Sequence, residues 1–86
     1  MYVYILDCED GSLYTGLTDD VERRFKEHVT GQGSLYTKCS RPLKVVYIEN
    51  FCNFVDAQKR EKQIKDWTHR KKLALISGDM ELLNKL

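Results

Sequence analysis

Residues 2–6, Tyr-Val-Tyr-Ile-Leu, form an unbroken aromatic and β-branched run that leads into Glu9-Asp10-Gly11-Ser12. Side chains of this kind suit a pleated surface, and Asp-Gly is a strong hairpin signal because glycine takes a positive φ at no steric cost. Leu13-Tyr14-Thr15 then returns as a second strand. A hairpin at this point constrains all that follows, since the remaining chain has to cover it.

The later elements follow from local signals. After Gly16, the stretch Thr18-Asp19-Asp20-Val21-Glu22 offers a capping residue, with Asp19 and Glu22 at capping-box spacing. Helix-forming residues continue to about Thr30, where Gly31 stops them. Gln32 to Arg41 reads as a polar, glycine-containing loop, and Pro42 precedes a third strand, Leu43 to Ile48. Asn53 caps a helix from about Phe54 to Trp67, with Asp56 at the reciprocal position. Lys71 to Ile76 reads as another helix broken at Gly78, and Asp79 caps a short last one to Leu86. The expected fold class is α+β: a small three-stranded antiparallel-type sheet (hairpin, helix, strand) covered by helices. With no repeat, low-complexity stretch or linker, residues 1–86 are expected to form one domain, its core at about 1–76 and a helical tail at 79–86.

Composition removes several function classes. At 42% apolar and 31% charged the chain is globular rather than disordered or fibrous. No apolar run approaches the roughly 20 residues of a bilayer span, and no basic segment precedes the first strand as a secretory signal would. Cys8, Cys39 and Cys52 form no CxxC pair and leave an odd thiol, against both a disulfide framework and a structural zinc site. A reducing, cytoplasmic setting is expected. The net charge of +1 hides an uneven distribution: residues 1–22 hold six acids and no Lys or Arg, residues 23–44 six bases and only Glu27. Lys59 to Lys72 holds seven more bases against Glu61 and Asp66, a local footprint that suits phosphates as well as it suits a solvated helix face.

Helical spacing then picks out polar residues in apolar places. At about 100° per residue, Val21, Phe25 and His28 share one stripe of the first helix, with Arg24 on its border. On the next helix Phe54, Ala57 and Ile64 define an apolar arc, and Glu61 falls inside it. A buried carboxylate needs a cation, a metal or hydrogen-bond donors, so Glu61 is either an ion-pair partner of Arg24 or a functional acid. Taken singly, His28 reads first as a satisfied core residue, and Tyr4 and Tyr14 most simply as a facing cross-strand aromatic pair. Together these groups suit phosphodiester chemistry. One Glu can hold a Mg²⁺ that keeps several waters. An Arg neutralises charge developing at phosphorus. A Tyr or His accepts the proton, a nearby cation and metal drawing a phenol's pKa from about 10 toward neutrality. No Gly-rich phosphate loop, GxSxG elbow or second carboxylate for two-metal work is present.

From Met1 to about Ile76 the chain resembles the GIY-YIG nuclease superfamily, particularly its small stand-alone bacterial members. Tyr2-Val3-Tyr4 is similar to the family's Gly-Ile-Tyr, and Tyr14-Thr15-Gly16, ten residues after the first motif's tyrosine, to its Tyr-Ile-Gly. Leu17 to His28 resembles the Arg-bearing first helix, and Arg60-Glu61-Lys62-Gln63-Ile64-Lys65 the Glu-bearing one. The resemblance implies a metal-dependent endonuclease, with nucleic acid, DNA before RNA, as partner. It implies Tyr4 as general base, Tyr14 as the residue orienting nucleophile or phosphate, Arg24 as the transition-state cation and His28 as an auxiliary proton-transfer or phosphate contact. Glu61 would be the sole protein ligand of Mg²⁺ or Mn²⁺, and Gly16 would let a phosphate approach the backbone. Lys26, Tyr36, Lys38, Arg41 and Lys65 are candidate nucleic-acid contacts. Tyr2 stands where the family name has its first glycine, Val29-Thr30-Gly31 lacks the Asn many members carry after the histidine, and the 33–42 loop is less basic than usual. Two other readings remain: a non-catalytic nucleic-acid-binding module, and a protein-interaction module. For the latter, and for a homodimer, Trp67, Leu73 and the tail from Met80 to Leu86 are candidate contacts.

Overall fold

The computed structural model describes residues 1–30 and 41–86. Its elements are β1 (Tyr2–Cys8), β2 (Leu13–Thr18), α1 (Val21–Thr30), β3 (Pro42–Asn50), α2 (Phe54–Lys65), α3 (His69–Ser77) and α4 (Met80–Lys85). The strands form one antiparallel sheet in the order β2-β1-β3, so the α+β expectation holds, with β1 in the middle. The turn forms where Asp10-Gly11 requires it: Gly11 has φ 86°, and Asp10 Oδ1 accepts from Ser12 N at 2.9 Å.

Several element ends differ from the sequence expectation, each for a local reason. Asp20 caps α1, its Oδ1 accepting from Arg23 N at 3.0 Å, while Thr18 stays in β2. α2 ends at Lys65 because Asp66 closes it, its N–H directed at Ile64 O and Lys62 O. Thr68 then opens α3 two residues earlier than expected, accepting from Lys71 N at 3.2 Å. β3 extends to Asn50 because β1 pairs with it along its whole length, from Tyr2↔Asn50 to Cys8↔Pro42. The Asn53 cap forms as expected, with Asp56 N donating to Asn53 Oδ1 at 2.9 Å and Asn53 Nδ2 to Asp56 Oδ2 at 3.0 Å.

The period-2 alternation of β1 divides the interior in two. Val3 and Ile5 are buried with Ala57 and Ile64 of α2 and Leu75 of α3, and Trp67 and Leu83 pack onto that cluster. Tyr4, Leu6 and Cys8 belong to the other cluster, with Tyr14, Val21, Phe25 and Val45 against them. Helices therefore cover both faces of the sheet, α1 on one and α2 with α3 on the other. Phe54 is exposed rather than part of the buried arc, since it lies about 70° around α2 from the middle of Ala57 and Ile64. Among the candidate contacts of the C-terminal region, Leu73, Met80 and Leu86 are exposed. No helix among the described residues is long and apolar enough to cross a membrane.

Candidate functional site

Tyr4 sits in the middle strand opposite Gly16 on β2 and Ile48 on β3. Tyr14 pairs with Leu6, so the two tyrosines are diagonal neighbours on one face rather than the facing pair read from the sequence. Their ring centroids are 6.3 Å apart. The Tyr4 ring lies across Gly16, where an added Cβ would overlap its Cζ and hydroxyl oxygen. The space expected for an approaching phosphate is thus filled by the phenol, and the glycine makes room for Tyr4.

α1 brings two groups onto this face. His28 is 6% exposed, with Nε2 3.0 Å from the Tyr4 hydroxyl and its ring edge-on to Tyr14 at 5.2 Å. Arg24, one turn earlier, is partly buried, and its charge acts on both phenols. Its ion-pair partner is Glu27, 3.4 Å away, which the sequence reading missed although the i, i+3 spacing is visible. Glu61 comes from the helix on the other side of the sheet, but α2 lies against the edge strand β2, and the carboxylate acts through space on the Tyr4 phenol. It occupies the border of α2's buried arc, 16% exposed, and pairs with Lys65 Nζ at 3.4 Å. The alternative pairing with Arg24 is therefore not the one formed.

Burial and the neighbouring Tyr14 push the Tyr4 pKa up to about 12, against the opposing pull of Arg24. In the protein alone, burial disfavours the phenolate by more than one partly exposed guanidinium restores. Burial, and then the Arg24 charge, hold the His28 pKa below its usual value. The Tyr4–His28 contact is thus a neutral phenol against a neutral imidazole. Stability should follow pH accordingly. His28 contributes above its unfolded pKa of 6.5 and loses that contribution as pH falls through the lower folded value, whereas Tyr4 contributes below pH 10 and loses it as pH rises toward about 12. Urea denaturation across this range should show a fall in stability below pH 6.5 that His28→Gln flattens; an unchanged acid limb would remove His28 as its cause.

The remaining candidates lie elsewhere or are already engaged. Lys26 is exposed on the far side of α1 from His28 and pairs with Glu22 at 3.5 Å. Arg41 is exposed ahead of β3, its carbonyl accepting from Glu9 N at 2.9 Å. Tyr36 and Lys38 lie outside the described residues. Lys65 stands on Glu61. Among the described residues no three His, Cys, Asp or Glu side chains converge; beside the two phenols stand Glu61 and Glu27, the latter engaged by Arg23 and Arg24. That donor set fits a hard divalent ion that keeps most of its water, and does not fit a thiolate or imidazole cage.

Known proteins resemble this chain over most of its length. Residues 1–74 match the family model described as the GIY-YIG catalytic domain. A UPF0213 protein of Staphylococcus saprophyticus is 51% identical, the match covering 88% of this chain and 93% of that protein. One from Clostridium perfringens is 53% identical over 90% of this chain and 83% of its own length. The solution NMR structure of the UPF0213 protein BH0048 from Bacillus halodurans is 45% identical and superposes with a TM-score of 0.57, covering 88% of this chain and 81% of that one.

Proposed function

The chain belongs to the GIY-YIG family, and on that premise we propose that it is an endonuclease that hydrolyses nucleic-acid phosphodiester bonds, DNA before RNA, with one divalent ion, Mg²⁺ or Mn²⁺, held by Glu61. The observation that carries this reading is the Tyr4 hydroxyl held 3.0 Å from His28 Nε2 with the Tyr14 ring centroid 6.3 Å from its own, in reach of the charges of Arg24 and Glu61. The ion, when bound, would polarise the scissile phosphate and lower the pKa of its water.

The residues themselves have defined tasks in this reading. Arg24 faces the phosphate and neutralises charge building on its non-bridging oxygens. Tyr14 fixes the phosphate's orientation beside it. With a pKa of about 12, Tyr4 exists as phenolate in only on the order of one molecule in a hundred thousand at pH 7, too few for a standing base. It acts instead as a relay: its oxygen takes the proton of the attacking water as its own hydroxyl proton passes to Nε2 of the neutral His28. The water oxygen bonds to phosphorus, the ester P–O bond breaks, and the departing oxygen is protonated from water.

The test is a panel of linear, flapped and junction DNAs and structured RNA, with Mg²⁺ or Mn²⁺ and with chelator. Cleavage of at least one substrate that chelator abolishes is expected, and absence of turnover on all of them overturns the reading. The Lys65 ammonium already seated on Glu61 favours a second reading, a module that binds nucleic acid without cutting it. Its mark would be salt-sensitive binding with no product under every ionic condition.

A further inference from the structure

A second surface stands apart from the five site residues. On the α1 face of the sheet, toward the end of α1 away from His28, a cleft of about 600 Å³ lies between Tyr2, Val45 and Ile48 of the strands and Val21 and Phe25 of the helix. Its floor reaches β3, an outermost strand that among the described residues pairs only with β1. Ile48 is 52% exposed and Leu43 54%, and β3 runs for nine residues with no proline beyond Pro42 at its start. A long apolar edge of this kind offers its outward backbone groups as a template for another strand. Asp19, Asp20 and Glu22 complete the lining of the cleft, which holds no base. Asp20 is occupied in capping α1, whereas Asp19 and Glu22 are exposed and paired with Arg23 and Lys26 of α1. Exposed pairs contribute little, so a further cation can share or displace them.

We propose that this cleft and the β3 edge form a docking site for an extended, basic segment of a protein partner. The segment adds to β3 as a fourth strand, sets one apolar side chain between Phe25 and Ile48, and places a Lys or Arg of the same face against Asp19 and Glu22. The inference is independent of the nuclease reading. Side chains of an extended segment alternate, so residues two apart share a face about 6–7 Å from one another, and one can fill the cleft while the next meets the acids. Main-chain hydrogen bonds along the edge supply affinity, and the cleft supplies selectivity. Charge decides among the occupants. A nucleic-acid strand is disfavoured, because its phosphates would meet three carboxylates and no base. A second copy pairing through β3 lacks the complement too: Val45 and Ile48 occupy the α1 face of that strand, and its one base, Lys44, stands opposite Asp7 on the other face. A cationic strand from a different protein supplies what both of these lack.

A phage-displayed library of linear peptides as long as β3, panned on the full chain, tests this, with the enriched peptides synthesised and titrated by calorimetry and two-dimensional NMR. Enriched sequences should carry an apolar residue and a Lys or Arg two positions apart, and their affinity should fall with salt. Their binding should shift the β3 amides between Leu43 and Ile48 and protect the outward ones from exchange. Ile48→Lys should weaken binding about tenfold or more, by filling the cleft with a charge that repels the peptide's own. Glu22→Lys should weaken it several-fold at low salt and less at high salt. Both positions are at least half exposed, so both variants should keep the circular dichroism of wild type. Enrichment of acidic peptides or of none, unmoved β3 amides, or affinity that neither variant changes overturns the inference. So does displacement of the peptide by a double-stranded oligonucleotide, which would make nucleic acid the occupant. A dimer in sedimentation that Ile48→Lys dissolves would make it a second copy, and overturns the inference as well.

Discussion

Glu61→Gln should reduce divalent-dependent cleavage by about a thousandfold or more while leaving the fold intact. Glutamine keeps the shape and one acceptor oxygen but removes the only negative charge among the five proposed site residues, the charge to which the proposal assigns the divalent ion. Loss of a single preorganised electrostatic group already costs on the order of a hundred- to a thousandfold in rate, and in the proposed mechanism this group would also recruit the ion. Stability should change by less than about 1 kcal/mol, because what is lost in the fold is one i, i+4 pair with a half-exposed lysine. Far-UV circular dichroism and thermal denaturation beside the cleavage assay separate the two effects. Near-normal turnover in this variant would move the ion, and with it the reaction, away from Glu61.

Gly16→Ala should cost about 1–3 kcal/mol and lower the melting temperature by several degrees, an unusually large effect for one methyl on an edge strand. Alanine has no difficulty with the backbone here, since Gly16 has no positive φ. The obstacle is the Tyr4 ring, whose outer atoms occupy the position of the new Cβ. Tyr4 is 1% exposed, so the ring cannot swing into solvent; it must displace its neighbours and give up the 3.0 Å contact with His28. Cleavage should fall well beyond what the stability loss explains. A double-mutant cycle isolates the cause: in a Tyr4→Ala background the added methyl should be nearly neutral, giving a coupling energy close to the whole single-variant effect. Equal costs in both backgrounds would mean that the clash is with something other than Tyr4.

Much of this molecule could be read from local signals, and what could not was long-range. The hairpin at Asp10-Gly11, the Asn53 cap, the left-handed Gly78 at φ 75° and the inward stripe of Val21, Phe25 and His28 each depend on neighbours within a turn or so. Thr68 was missed as a cap because Lys71 offered a more obvious helix start three residues later. The hairpin register was beyond pattern reasoning: Tyr4 opposite Gly16 rather than Tyr14 follows from how many residues the turn consumes. The partner of Glu61 could be narrowed only to a nearby cation. Lys65 is one turn away on the same helix, whereas Arg24 would have had to arrive from another element already paired with Glu27. The phenol's raised pKa was inaccessible for a related reason: spacing identifies a nearby guanidinium, and only coordinates weigh its charge against burial.

Tyr4 is carried by β1, which is hydrogen-bonded along both of its edges. Amide protons of such a strand exchange with solvent only when the whole structure opens, so the phenol should be as long-lived in place as the native state itself. In the proposed nuclease the phenol would therefore be a stationary reference for a bound phosphate, and fitting to a substrate's shape would fall to side chains on the flanking helices.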